Sequence, residues 1–211
     1  MGRRFMVGSS AVAALAMATC LTALTARAIA SAEAPLAVDS ARVTIAGTSN
    51  IHEYTAATTK VRVTRAQLGA LVAGANFWEN ALKPGAVEAF EIAIPAATLT
   101  SPKDGLDKNM HKTLKVQEHA DITFRLVRFE AKENAPGVTR AIGVLRIAGV
   151  ERELAMDITT KRTDSTLTVQ GRADLLMTDY GITPPKAMLG MLKTDPKVTV
   201  TFETVLTIPL T

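Results

Sequence analysis

The chain has 211 residues, 47% of them apolar, and a formal net charge of +4. Arg3, Arg4 and Arg27 all fall in an acid-free leader, so residues 33–211 stand near +1; without a basic patch interleaved with aromatics, nucleic acid is excluded as a partner class. The single cysteine, Cys20, lies in the same leader, which removes disulfides, thiolate nucleophiles and thiolate metal sites from everything that follows it.

The leader runs "MGRR", then the uncharged "FMVGSSAVAALAMATCLTALTA", then small residues at Ala30-Ser31-Ala32. This order predicts a secretory signal peptide over residues 1–32, cut after Ala32 or, as a second choice, after Ala28. Met17 and Thr19 do not match the residues that precede a lipidated cysteine. The protein is therefore expected to be periplasmic or secreted. Residues 33–211 read as one domain, long enough to bury about 70% of its unfolded surface.

Period-two alternation dominates this domain and predicts half-buried strands. In chain order they are "RVTIAG" (42–47), "KVRVTR" (60–65), "AFEIAIP" (89–95), "ADITFRLVRF" (120–129), "AIGVLRIAG" (141–149), "ELAMDITT" (153–160), "TLTVQGRADLLM" (166–177) and "VTVTFETVLT" (198–207). Between the second and third, "RAQLGALVAGANFWENALKPG" reads as helical or irregular, with Leu68, Leu71, Val72 and Ala75 at helical spacing. After the third, "SPKDGLDKNMHKTLK" reads as a helix. Ser101 is its candidate N-cap, Pro102 its first residue and Asp104 its capping acid, with an apolar stripe of Leu106, Met110 and Leu114. About eight sequential antiparallel strands, each with one apolar face, predict a sandwich or an up-and-down barrel.

Recognisable catalytic motifs are lacking: there is no G-x-S-x-G, no phosphate-cradling glycine loop and no H-E-x-x-H. The three histidines are His52, His111 and His119. Had one helix run through His111 and His119, it would hold them about 12 Å apart, too far to share a small ion. The carboxylate pairs Asp104/Asp107 and Glu118/Asp121 stand among Lys103, Lys108, Lys112 and Lys115 and read as a mixed-charge surface. No catalytic residue, metal site or cofactor is assigned.

Four segments occur in order: "IAGTSNIHEYTA", "IPAATLTSPKDGLDKNMHKTLKVQEHADITFRL", "GVLRIAGVERELAMDI" and "GRADLLMTDYGITPPKAMLGMLKTDPKVTVTF". Together they resemble the YceI family of lipocalin-like, polyisoprenoid-binding periplasmic proteins. The resemblance implies an all-β fold, an antiparallel eight-stranded lipocalin-like barrel with one or two short helical segments. It also implies a long apolar cavity for an isoprenoid, a quinone or a similar apolar chain, used for transport, storage or sequestration. Carried onto the inward faces, the expected lining is Phe90, Ile92, Ile94, Ile122, Phe124, Leu126, Leu145, Ile147, Met156, Ile158, Val169, Leu175, Met177, Val200 and Phe202. Met177, Met188 and Met191 suit an adaptable apolar surface. Residues 65–85 depart from the family in being longer and more apolar, which bears on the cavity mouth.

Two other readings compete. One is a catalytic barrel acting on a lipid or quinone through His111, His119 or Tyr180. The other is an interaction protein that docks on a membrane partner through Phe77 and Trp78, whose alternative role is to plug one end of the barrel. A transient membrane contact is compatible with each.

Overall fold

In the computed structural model of the chain, residues 36–208 are described, except 70–75, 84, 133, 134, 136, 164 and 188–190. The signal segment, the residues Leu71, Val72 and Ala75, and Met188 lie outside the described residues.

Among the described residues the chain forms ten strands and two short α-helices. The strands are β1 (Ala37–Ser49), β2 (Glu53–Thr58), β3 (Arg62–Leu68), β4 (Val87–Pro95), β5 (Asp121–Ala131), β6 (Val138–Ile147), β7 (Val150–Arg162), β8 (Thr166–Leu176), the two-residue β9 (Lys186–Ala187) and β10 (Leu192–Thr207). The helices are α1 (Phe77–Ala81) and α2 (Asp104–Thr113). Nine strands form one antiparallel sheet in the order β2-β1-β10-β8-β7-β6-β5-β4-β3, and β9 pairs with β10. The sheet is curled, so the apolar faces of successive strands turn toward one another.

The expected lipocalin-like all-β architecture is present, with one more strand in the main sheet than the eight foreseen. The addition is β2, "EYTAAT", whose alternation is too weak to announce a strand. It forms by pairing with β1, from Val43–Thr58 to Thr48–Glu53. Its free edge is not left bare. Ala57 and Thr100 exchange backbone hydrogen bonds of 2.8 and 3.0 Å, and the Thr58 and Thr98 hydroxyls lie 2.7 Å apart. Covering an edge in this way removes a template for aggregation.

Residues 65–85 read as helical or irregular, with Leu68 opening the helical spacing. Instead β3 continues through Leu68, held to β4 by pairing from Arg62–Ala93 to Leu68–Val87. Only Phe77–Ala81 is helical among the described residues of this stretch. Helical spacing at Leu68 lost to the ladder, because strand pairing satisfies every backbone group that an isolated helical turn leaves open.

The second helix starts later than its capping signals suggested. Lys103, not Ser101, holds the N-cap position and makes no side-chain capping bond. Ser101 instead turns the preceding loop, its hydroxyl accepting from the Lys103 amide at 3.1 Å. Asp107, a turn inside the helix, reaches back to accept from the Ser101 amide at 2.7 Å. The far end of α2 is a Schellman motif: the Val116 amide donates to the His111 carbonyl (3.2 Å) and the Lys115 amide to the Lys112 carbonyl (3.1 Å). Lys115 takes the left-handed position at φ 53°.

Three ring-on-glycine contacts shape the inside of the curl. A Cβ at Gly143 would run into the Phe124 ring, one at Gly171 into Phe202, and one at Gly47 into Tyr54. Each ring lies over a bare stretch of the neighbouring strand. This lets the sheet bend sharply while an aromatic covers the gap.

The outward faces are polar. On the β8–β10 ladder, the Thr199 hydroxyl donates to Asp174 at 2.7 Å and Lys197 stands 3.1 Å from the same carboxylate. The Thr199 hydrogen bond, then that of Lys197, holds the Asp174 pKa down at about 2. An unfolded aspartate titrates near 3.9. The native state therefore gains from Asp174 above about pH 4, and the gain is lost as pH falls through about 2. Carbon-detected NMR should place the Asp174 midpoint near 2; a midpoint near 4 would show that these contacts do not hold in solution.

Candidate functional site

Within the curl lie two adjoining rooms. The inner chamber, of about 220 Å³, is walled by residues of β1, β3 to β8 and β10 and by α1. Its wall is hydrocarbon throughout, apart from the Thr160 and Thr204 hydroxyls, the Met156 thioether and the Trp78 indole. The outer room, of about 470 Å³, is mixed in character. It sets Leu106, Met110 and Leu114 of the second helix beside Ser49, His52, Glu53, Ser101, Lys103, Asn109 and Lys186. Ile45, Ile122, Ile147, Leu175 and Val200 belong to both rooms, so the two share one wall. From Val200 at that shared wall to Leu206 is six residues of β10, or about 20 Å of extended chain.

Alternation places most of the expected lining. Phe90, Ile92, Ile94, Ile122, Phe124, Leu126, Leu145, Ile147, Met156, Ile158, Val169, Leu175, Val200 and Phe202 all face the inner chamber. Met177 does not. β8 ends at Leu176, and Met177 opens a 3-10 turn (Met177–Tyr180) that carries it into the outer room. The turn closes on Gly181 in the left-handed conformation (φ 67°).

Several lining residues were not foreseen. Val43 and Ile45 of β1 had the signal, since they alternate in "RVTIAG". Phe129 had none. Pairing of β5 with β6 slips between Leu126 and Arg128, leaving Val127 exposed and turning Phe129 inward. Such a bulge inserts one residue and reverses every side chain beyond it.

The second helix lies along the outer room as its stripe predicted. Met110 and Leu114 pack against the cluster of Ala96, Leu99 and Ile122. Opposite, at the inner end, Phe77 and Trp78 are buried and meet edge to face, ring centroids 5.0 Å apart. They pack with Leu36, Ala66, Leu167 and Leu206. α1 thus sits at the inner end of the chamber rather than at the mouth, and its two aromatics are buried rather than presented to a partner.

The candidate catalytic groups are occupied elsewhere. His111 bonds the Leu99 carbonyl through Nε2 at 2.7 Å, which requires the proton on that nitrogen. The His119 ring sits against Gly149, second residue of a β6–β7 hairpin turn in which Ala148 (φ 48°) and Gly149 (φ 84°) are both left-handed. The remaining histidine, His52, faces the Ser49 hydroxyl at 3.3 Å. Tyr180 is buried in the main core, and that burial pushes its pKa up. Among the described residues no three His, Cys, Asp or Glu side chains are grouped as metal ligands.

An antiparallel curled sheet around an apolar chamber, with a helix along its mixed-polarity opening, is a lipocalin-like arrangement. The sequence matches the YceI-like domain family over residues 36–206. This chain belongs to the YceI family. The YceI domain accounts for nearly all described residues. Among curated proteins no sequence match is found. Solved structures with the same fold include BcnA of Burkholderia cenocepacia, at 12% identity and a TM-score of 0.62, covering 78% of this chain and 95% of that one. Another is a polyisoprenoid-binding domain from Saccharophagus degradans implicated in plant cell wall breakdown, at 13% identity and 0.61, covering 84% and 100%. At such identities the likeness carries the fold of the YceI domain and leaves its ligand to be argued from the chamber.

Proposed function

We propose that the protein binds an apolar chain lipid, a polyisoprenoid or a similar tail, inside the curled sheet, and carries or sequesters it in the periplasm. The observation that carries this reading is the hydrocarbon wall of the inner chamber, which shares five residues with an adjoining room that has polar and charged side chains. An amphiphile matches that gradient: its tail meets only carbon, and its polar part reaches Ser101, Asn109 and Lys186. The solved domain from Saccharophagus degradans, described as polyisoprenoid binding, supports the same class of ligand. The periplasmic location rests on the leader sequence.

Magnitudes favour exchange over irreversible capture. Each methylene removed from water contributes about 0.8 kcal/mol, so a long tail would bind tightly against water. A bilayer offers the same gain. Transfer between membrane and chamber is then close to balanced, which suits a carrier or buffer and needs no chemistry.

The rim also suits loading at a membrane. Ile51 and Met191 are among the few large apolar side chains left exposed, at 60% and 65%. Asn50 ties their loops together, donating to the Met191 carbonyl and accepting from the Lys193 amide, each at 2.8 Å. Vesicle flotation should show weak binding that is lost on Ile51→Asp; unchanged flotation would remove the membrane contact.

Native purification followed by lipid extraction and mass spectrometry tests the reading as a whole. A chain lipid is expected at a substantial molar fraction. Protein that neither carries lipid nor takes up a polyisoprenoid from vesicles would overturn it.

A further inference from the structure

Neighbours in the nine-strand order are joined by backbone ladders, yet the order has two ends and does not close on itself. β2 pairs with the second half of β1, from Val43–Thr58 to Thr48–Glu53. The chain then crosses residues 59–61 and becomes β3, which pairs with β4 instead. Residues 37–42 of β1 are left with one free edge, and so is β3. These two edges come together. Leu36 and Val38 join Val63, Ala66 and Leu68 in one apolar cluster with Phe77 and Trp78. Among the described residues, no hydrogen bond or ion pair joins residues 36–42 to residues 62–68. The polar side chains of β3 turn elsewhere: Arg62 to Asp121 of β5, Thr64 to the Glu91 carbonyl at 3.2 Å and Arg65 to Gln67 at 2.8 Å.

Two irregularities keep this seam from zipping. β1 carries an extra residue against β10 between Val38 and Ser40, and β3 carries one against β4 between Val63 and Arg65. Continuing the β1–β2 register would set Val38 opposite Val63, so both bulges fall at one level of the seam. Bulges twist an edge and end its pairing. The backbones are thereby kept from forming a ladder while the side chains still pack.

The seam borders the inner chamber. Leu36 and Val43 on one side and Val61 and Leu68 on the other all line it. At about 220 Å³ the chamber is smaller than the roughly 300–1,000 Å³ of ordinary small-molecule pockets. A chain lipid therefore needs a wall that yields. Between ladder-bonded strands, yielding breaks backbone hydrogen bonds and leaves buried groups unpaired. At the seam only hydrocarbon contacts part, and a lipid chain replaces them with contacts of the same kind.

We propose that the β1–β3 seam is the expansion joint of the chamber: residues 37–42 and β3 move apart as a chain lipid enters and close again when it leaves. The inference rests on the lipid-binding reading and adds to it which part of the wall moves.

Without its leader the chain has no cysteine, so introduced cysteines are its only thiols. Ser40→Cys with Arg65→Cys puts one thiol on each edge of the seam, both at exposed positions. Lys161→Cys with Thr168→Cys spans the β7–β8 ladder as a control. Nitroxide labels on each pair report proximity through dipolar broadening of the EPR spectrum. Delipidated protein is measured before and after loading with solanesol, a polyprenol, from phosphatidylcholine vesicles. Broadening at the seam pair is expected to fall by at least half, and at the control pair to stay the same. Bridging the seam thiols with a short reducible cross-linker should lower solanesol uptake about fivefold, because it removes the open state that the ligand selects. Reduction should restore uptake. The same bridge across β7–β8 should leave uptake unchanged.

Solanesol bound with no change at the seam pair, an equal change at both pairs, or full uptake by the bridged protein would each overturn the expansion joint and leave the lipid reading in place. No solanesol bound by the unbridged protein would overturn both.

Discussion

Leu99→Ala should lower the unfolding free energy by about 3 kcal/mol, within the range for emptying a fully buried leucine site. Leu99 has no exposed surface, unlike any other large side chain among the described residues. It stands where three parts of the molecule meet. With Ala96 and Ile122 it receives Met110 and Leu114 of the second helix. It forms part of the inner chamber wall. Its carbonyl accepts the His111 side chain at 2.7 Å. Truncation enlarges a cavity that already exists, so the surrounding side chains cannot collapse fully into the gap, and the cavity penalty adds to the lost transfer energy. For a domain of this size the change corresponds to a fall in melting temperature of about 10 °C. Urea unfolding with an unchanged slope measures it. A loss under 1 kcal/mol would mean that Leu99 is not the joint between helix and sheet.

Ala173→Trp should abolish lipid uptake while leaving the sheet intact. Ala173 is buried on the inner face of β8, opposite Val200 of β10. An indole there projects into the 220 Å³ chamber and takes up the space through which a chain must pass. Lipid recovered by extraction is expected to fall at least tenfold. Overpacking a core position costs about 1–3 kcal/mol, which a domain of ordinary stability survives, and circular dichroism checks that it has. A folded variant that still holds wild-type amounts of lipid would place the ligand outside the chamber. Leu99→Ala and Ala173→Trp separate the two roles of the same wall, one disturbing how it is braced and the other what it encloses.

Strand alternation made much of the interior legible. In "ADITFRLVRF" and "VTVTFETVLT" a period of two forces Ile122, Phe124 and Leu126, or Val200 and Phe202, onto one face, and a curled sheet has only one interior to receive them. Legibility fails where pairing departs from strict alternation. Phe129 points inward because β5 carries an extra residue opposite β6, a feature set by the partner strand. β2 is a strand because β1 offers an edge to it. Met177 leaves the inner face because β8 ends at Leu176 and a 3-10 turn begins at Met177.

The second helix shows the same division. Its stripe of Leu106, Met110 and Leu114 announced an amphipathic element, yet its capping signals misplaced its start. Ser101 and Asp107 bond each other through a loop, and local sequence rules assume that a cap bonds the nearest turn. The histidines were conspicuous by type alone. His111 braces the helix through a backbone carbonyl, and His119 backs a tight turn.

By itself the sequence determined the class of the fold, the inward face of most strands and an interior built of hydrocarbon, because hydrophobic burial at a fixed period is a local property of the chain. Only the tertiary structure decided the size and division of that interior, the end at which α1 sits, and the placing of Thr160 and Thr204 on either side of Val169. Those three residues come from different strands, and what brings them together is the register of β7, β8 and β10, which side-chain periodicity alone does not encode.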